Sequence, residues 1–311
     1  MKVALLFSGQ YREFDSDLFK YSLSNLITDI DYSIYSFCWK EKGESLDHSI
    51  KTPLVQDFDY EETINSLFRN FNLKKYAFES YEEFIKTLPL DYSNIQNSKK
   101  FHSGTIHTLP QLYAISKSFK LIEENLSDYD LIFRCRYDSL FIHPLNLYDL
   151  KSIKKSNKLH NINFGRSYYP KRVYDIFFGG SPSSMKFLSS IWDEIPKLIS
   201  IKSSNNLDPR DPCRLIYLSA YLNKIKVKSF DYRICDVYRS NKSNYYEKYI
   251  IASHYIKLNL MFKNYKVWFF LRNLFKFRRI ATVNMYLYLF QFLINLPFSY
   301  LKRIKFLYFF R

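Results

Sequence analysis

A chain of 311 residues, 47% hydrophobic and 24% charged, is long enough for one large or two small globular domains with a full core. Its six glycines form neither Gly-x-Gly-x-x-Gly nor a Walker-type phosphate loop, which removes the main sequence support for dinucleotide enzymes and P-loop kinases. The formal charge of +16 is unevenly placed: ten of the excess positive charges fall in the last 51 residues, which contain no Asp or Glu.

The apolar run Lys2 to Ser8 has strand length and reads as the first strand of an α/β domain, too short and too quickly polar for a signal peptide. It ends in Ser8-Gly9-Gln10, with Arg12 close behind. Gly9 lets backbone approach a ligand closely, so Ser8, Gly9, Gln10 and Arg12 are candidate ligand contacts; an ordinary glycine turn is the competing reading. A helix over 15–27 and a strand over 31–37 follow. Residues 39–58 read as a loop, 60–71 as a helix, 73–78 as a short strand, 81–88 as a brief helix and 90–105 as a polar loop. Pro110 starts a helix whose apolar positions Leu112, Ile115, Phe119, Ile122 and Leu126 repeat about every 3.6 residues and cover one sheet face. Gln111 and Lys117 fall off that face. Lys117 is a candidate phosphate contact, against the plainer reading of a solvated lysine.

The most informative stretch is Tyr129-Asp-Leu-Ile-Phe-Arg-Cys-Arg-Tyr-Asp138. Leu131, Ile132 and Phe133 suit a buried strand. If the extended conformation runs on to Asp138, Arg134, Arg136 and Asp138 line one face at the strand's carboxyl end, where open α/β sheets place ligands. Two guanidiniums and a carboxylate suit an anionic ligand, with or without a metal ion. The alternative is a surface strand carrying an exposed Arg/Asp pair of little energetic weight.

That stretch, together with Phe7-Ser8-Gly9-Gln10-Tyr11-Arg12, resembles bacterial nucleotide-sugar glycosyltransferases of the GT-A type that build lipopolysaccharide, O-antigen or capsule. The resemblance covers roughly residues 1–240. It implies a GT-A-like mixed sheet flanked by helices, a nucleotide-sugar donor, and Mn2+ or Mg2+ held by an Asp-x-Asp-like element. Only Asp138 carries over to that metal role, because the position two before it is Arg136. Gln111, Tyr113 and Lys117 match a Gln-x-Tyr-x-x-x-Lys pattern of the same enzymes.

Residues 145–158 read as a lysine-rich connection and 161–165 as a short strand. In 173–181 Asp175 sits within an otherwise apolar strand, and a buried carboxylate needs a partner or a task. Asp175 is the first candidate for sugar contact or general-base work, with backbone capping as its competitor. Ser181 N-caps a helix to about Ile199 that Pro196 kinks or ends. Asp208 and Asp211 precede a further helix over 213–223; the resemblance makes them rival bases, while ordinary capping is the alternative. A late strand over 225–232 and a rim segment over 235–239 complete this catalytic unit. Cys38, Cys135, Cys213 and Cys235 show no Cys-x-x-Cys spacing and read as reduced core residues, which implies a cytoplasmic protein.

Residues 241–260 read as a linker, and 261–311 as a helical, basic and aromatic tail. Residues 281–301 carry no charge, but Asn284, Gln291 and Asn295 share one helical face, which suits a helix lying in the membrane interface better than one spanning it. A third possibility is an apolar lid on the catalytic domain. The expected partners are a nucleotide-sugar donor, a glycan or lipid-linked acceptor and the inner-membrane surface, with no nucleic acid. The alternatives are a non-catalytic GT-A-like scaffold of a polysaccharide assembly complex and a transferase of another phosphate-containing group.

Overall fold

The computed structural model describes residues 1–11, 16–27, 30–40, 59–89, 92, 108–141, 144–145, 147–162, 171–201, 211–230 and 235–237. The expected linker and tail lie outside them, as do Arg12 and Asp208. Among the described residues no helix is long and apolar enough to cross a membrane.

The mixed α/β sheet expected from the sequence is borne out. Seven strands lie in the order β3-β2-β1-β4-β7-β6-β8. They are β1 (Lys2–Gly9), β2 (Asp31–Trp39), β3 (Leu73–Glu79), β4 (Leu131–Cys135), β6 (Leu159–Asn161), β7 (Phe177–Gly180) and β8 (Val227–Ser229). The first four run parallel, β7 is antiparallel to both its neighbours, and β6 pairs parallel with β8. A small ribbon pairs β5 (Ser139–Phe141) with β9 (Cys235–Val237).

Alternation along the central strands decides what covers each face. Val3, Leu5, Phe7, Leu131 and Phe133 point into one core, shared with α1 (Ser16–Leu26) and α2 (Tyr60–Phe68). Ala4, Leu6 and Ile132 point into the other, shared with α4 (Thr108–Lys120), α7 (Ile191–Ser200) and α8 (Pro212–Leu222). Full burial of a Leu or Phe side chain contributes about 1.5–3 kcal/mol, so these two cores hold the parallel strands in one register. A short α3 (Tyr81–Lys86) starts at Ser80, whose hydroxyl accepts from Glu83 N.

Several sequence expectations are corrected. β4 stops at Cys135 rather than running to Asp138; Arg136 to Asp138 form a turn, with Ser139 N donating to Arg136 O at 3.3 Å. The segment read as a lysine-rich connection contains α5 (Leu147–Ser156), because Leu150 and Ile153 fall on one face and are buried. Asp175 precedes β7 instead of lying inside a strand. The single helix expected from Ser181 is broken: Ser181 does cap it and Pro182 opens it, but α6 (Pro182–Met185) passes through a 3-10 turn before α7 begins. Pro196 lies inside α7, which continues to Ser200. Its missing N–H leaves Trp192 O without a helical donor, and the Tyr92 hydroxyl donates to that oxygen at 2.7 Å instead.

Candidate active site

In the parallel run β3-β2-β1-β4 the strand order reverses at β1: the chain leaves β1 to one side for β2 and β3, then returns to its other side for β4. Open α/β sheets bind ligands beyond the carboxyl ends of the strands at such a reversal, here those of β1 and β4. Gly9 closes β1 with φ +121°, a conformation that L side chains rarely adopt. β7 brings a further segment to this edge, since its antiparallel pairing sets Phe177 beside Cys135 and leaves Asp175 just beyond the end of β4.

Arg134 crosses from β4 to β1. Its Nε donates to Ser8 Oγ at 3.0 Å and its Nη2 to the Ser8 carbonyl at 3.1 Å. The side chain is only 1% exposed, and its Nη1 has no hydrogen-bond partner. Burial lowers its pKa from the ordinary arginine value to about 10; the Asp175 charge opposes the shift and Arg136 adds to it. The group remains a cation at neutral pH. A buried guanidinium held by neutral oxygens, with one nitrogen unused, is an unfavourable arrangement for a purely structural residue.

Arg136 makes the opposite kind of contact. Its Nε and Nη2 bind Asp138 Oδ1 and Oδ2 at 2.7 and 2.6 Å, a bidentate pair, and Nη1 reaches Asp175 Oδ2 at 3.1 Å. Burial works against its charge, but Asp138 and then Asp175 outweigh it and raise the pKa above the ordinary arginine value. Asp175 also accepts from Gln111 Nε2 in the first turn of α4 and from the Cys213 thiol at 3.3 Å. Burial and the nearby Asp175 and Asp211 charges push the Cys213 thiol pKa well up, so it acts as a neutral donor. Tyr137, between the two pairing residues, points the other way: its hydroxyl meets Ser36 Oγ at 2.6 Å and Phe37 O at 3.2 Å, which fixes the turn.

Ser8, Gly9, Gln111, Arg134, Arg136, Asp138 and Asp175 are thus brought together. Gln10 is half-buried directly after β1. The Gln-x-Tyr-x-x-x-Lys pattern divides: Gln111 serves Asp175, whereas Lys117 Nζ pairs with Glu79 at 2.7 Å and Tyr113 donates to the same carboxylate at 2.6 Å. Lys117 belongs to that ion pair at the end of β3. Asp211 caps α8, accepting from Cys213 N at 2.9 Å, and pairs with Arg172 at 2.6 Å. Capping, the plainer of its two readings, describes these contacts.

The residues present do not fit a divalent cation at Asp138. Both its oxygens accept from Arg136, and the same guanidinium holds Asp175, so a positive charge already lies between the two carboxylates. Among the described residues no three His, Cys, Asp or Glu side chains converge as a metal site. Sequence reasoning missed Cys213 and Arg172 as members of this network; neither lies in a pattern of its own. Arg214 was legible in principle, three residues after the Asp211 cap, which it approaches at 3.9 Å.

No family model and no curated protein matches the chain. Among solved structures it is similar to mouse xyloside xylosyltransferase 1 in its apo form, at 10% identity and a TM-score of 0.37, over 74% of this chain and 86% of that one. It is also similar to an active-site mutant of LgtC, at 10% identity and a TM-score of 0.36, over 74% and 72% of the two chains.

Proposed function

We propose that the chain is a GT-A-like glycosyltransferase that moves a sugar from a nucleotide-sugar donor to a glycan or lipid-linked acceptor of surface-polysaccharide assembly. The observation that carries this reading is Arg134: a buried cation with an unpartnered nitrogen, beside Gly9, at the point where the strand order of the sheet reverses. The motif resemblance at residues 7–12 and 129–138 supports the choice of a sugar diphosphate over other anions.

In this reading the donor's diphosphate lies across the carboxyl ends of β1 and β4, against Arg134 and Arg136. During transfer the bond from the anomeric carbon to the phosphate oxygen breaks and its electron pair leaves with the nucleoside diphosphate. The acceptor oxygen bonds to that carbon, and its proton passes to a carboxylate. Fixed N–H groups facing the departing diphosphate are worth more in a water-poor crevice than in bulk water, because they need no reorganisation as charge builds. Gly9 lets the chain pass close to the phosphates, and Ser8 sets the height of Arg134.

Asp175 is the proposed proton acceptor among the described residues. Its Oδ1 faces only the weak thiol donor of Cys213, while Oδ2 takes the stronger contacts from Arg136 and Gln111. Asp138 positions Arg136. Contact of the basic tail with an anionic membrane surface rests on its sequence alone. Incubation with a panel of nucleotide-sugars tests the transferase reading. Release of nucleoside diphosphate by the wild type, lost in Arg134→Met, supports it, and equal release by both removes Arg134 from the site.

A further inference from the structure

We infer that the Arg136 guanidinium does the work of a divalent cation at this site, so that donor binding needs no metal. The inference rests on the transferase reading above and concerns how the same crevice meets its diphosphate.

The geometry is that of a cation bound by two carboxylates. Asp138 gives Arg136 both oxygens at 2.7 and 2.6 Å, and Asp175 gives it a third at 3.1 Å. Gln111 and Cys213 hold Asp175 from two different helices. Asp138 and Asp175 are 4% and 8% exposed, so an unmet charge on either is costly; the guanidinium removes that cost and leaves no pair of free oxygens for an ion. A guanidinium carries five N–H groups, of which these contacts use three. The two left over, one on Nη1 and one on Nη2, lie on a side chain that is 18% exposed, the most open of the three charged partners. The unpartnered Nη1 of Arg134 carries two more N–H groups. Phosphate oxygens favour bidentate contacts from such planar guanidinium forks.

Calorimetric titration of the full chain with inorganic pyrophosphate and a panel of nucleoside diphosphates, in EDTA and in Mn2+, tests this. The expected result is binding in EDTA whose affinity changes less than about twofold when Mn2+ replaces the chelator. Arg136→Asp removes the built-in cation and sets three carboxylates together. That variant is expected to have a lowered unfolding midpoint in EDTA that rises on adding Mn2+, while the wild-type midpoint does not respond. Wild-type binding weakened about tenfold or more by EDTA overturns the inference but leaves the transferase reading intact. Absence of binding by every diphosphate, with and without Mn2+, overturns both. Should the variant fail to fold, the wild-type titration alone decides.

Discussion

Replacing Arg134 with methionine separates a ligand-binding arginine from a structural one. Burial lowers the pKa of Arg134 from the ordinary arginine value to about 10, a cost of about 3 kcal/mol to the folded state at neutral pH. Methionine removes that cost and fills much of the same volume. Against this, the buried Ser8 carbonyl loses a donor, which costs about 1–3 kcal/mol, while the Ser8 hydroxyl is free to turn. The two effects nearly cancel, so Arg134→Met is expected to unfold in urea within about 2 kcal/mol of the wild type at pH 7 while losing pyrophosphate binding. Arg136→Met differs in kind, because it leaves Asp138 and Asp175 buried without their cation, and a loss of about 3–5 kcal/mol is expected. Because burial sets the folded pKa below the unfolded one, the cost of Arg134 is full below about pH 10 and is relieved as pH rises further. Wild type should therefore gain stability relative to Arg134→Met as pH rises above about 10. A loss near 4 kcal/mol in Arg134→Met, or undiminished pyrophosphate binding, would show that Arg134 is a structural strut.

Three further outcomes are expected. A Cβ on Gly179 would overlap Phe133 Cδ1 and the Ile132 carbonyl, so Gly179→Ala should cost about 3 kcal/mol or more in urea unfolding, and a near-neutral result would contradict the β4–β7 packing. Asp211→Ala removes a helix cap and should cost about 1–2 kcal/mol while turnover stays within about threefold; a fall of about 100-fold would restore Asp211 as a base. Cys38, Cys135, Cys213 and Cys235 are all buried and form no disulfide, so Ellman's reagent at pH 8 should find no reactive thiol until denaturant is added, and rapid labelling of any one would contradict its placement.

β1 and β4 were legible in the sequence because each is a compact apolar run bounded by a polar turn, and both begin where expected. The candidate site was legible for the same reason: Gly9, Arg134, Arg136 and Asp138 follow directly on those runs. Pattern alone did not reveal that the strand ends at Cys135. The alternation that suggested a longer strand persists through the turn, since Tyr137 docks on Ser36 while Arg136 and Asp138 stay on the opposite side. α5 was hidden by its lysines, which are the solvent face of an amphipathic helix holding only Leu150 and Ile153 in the core. Asp175 was recognised as a carboxylate needing a partner, but its partners come from α4, the turn after β4 and α8, which lie 64, 39 and 38 residues away in the chain. Such pairings depend on the sheet order, which local periodicity does not encode.

The proposed function requires that Arg134 and Arg136 hold a diphosphate at the carboxyl ends of β1 and β4. Its most direct test is titration of inorganic pyrophosphate into the wild type and into Arg134→Met, with urea unfolding of both as the control for folding. Saturable binding by the wild type, abolished in a variant of near-native stability, is the predicted result. Equal affinity in the two proteins, or no binding by the wild type, would contradict the claim.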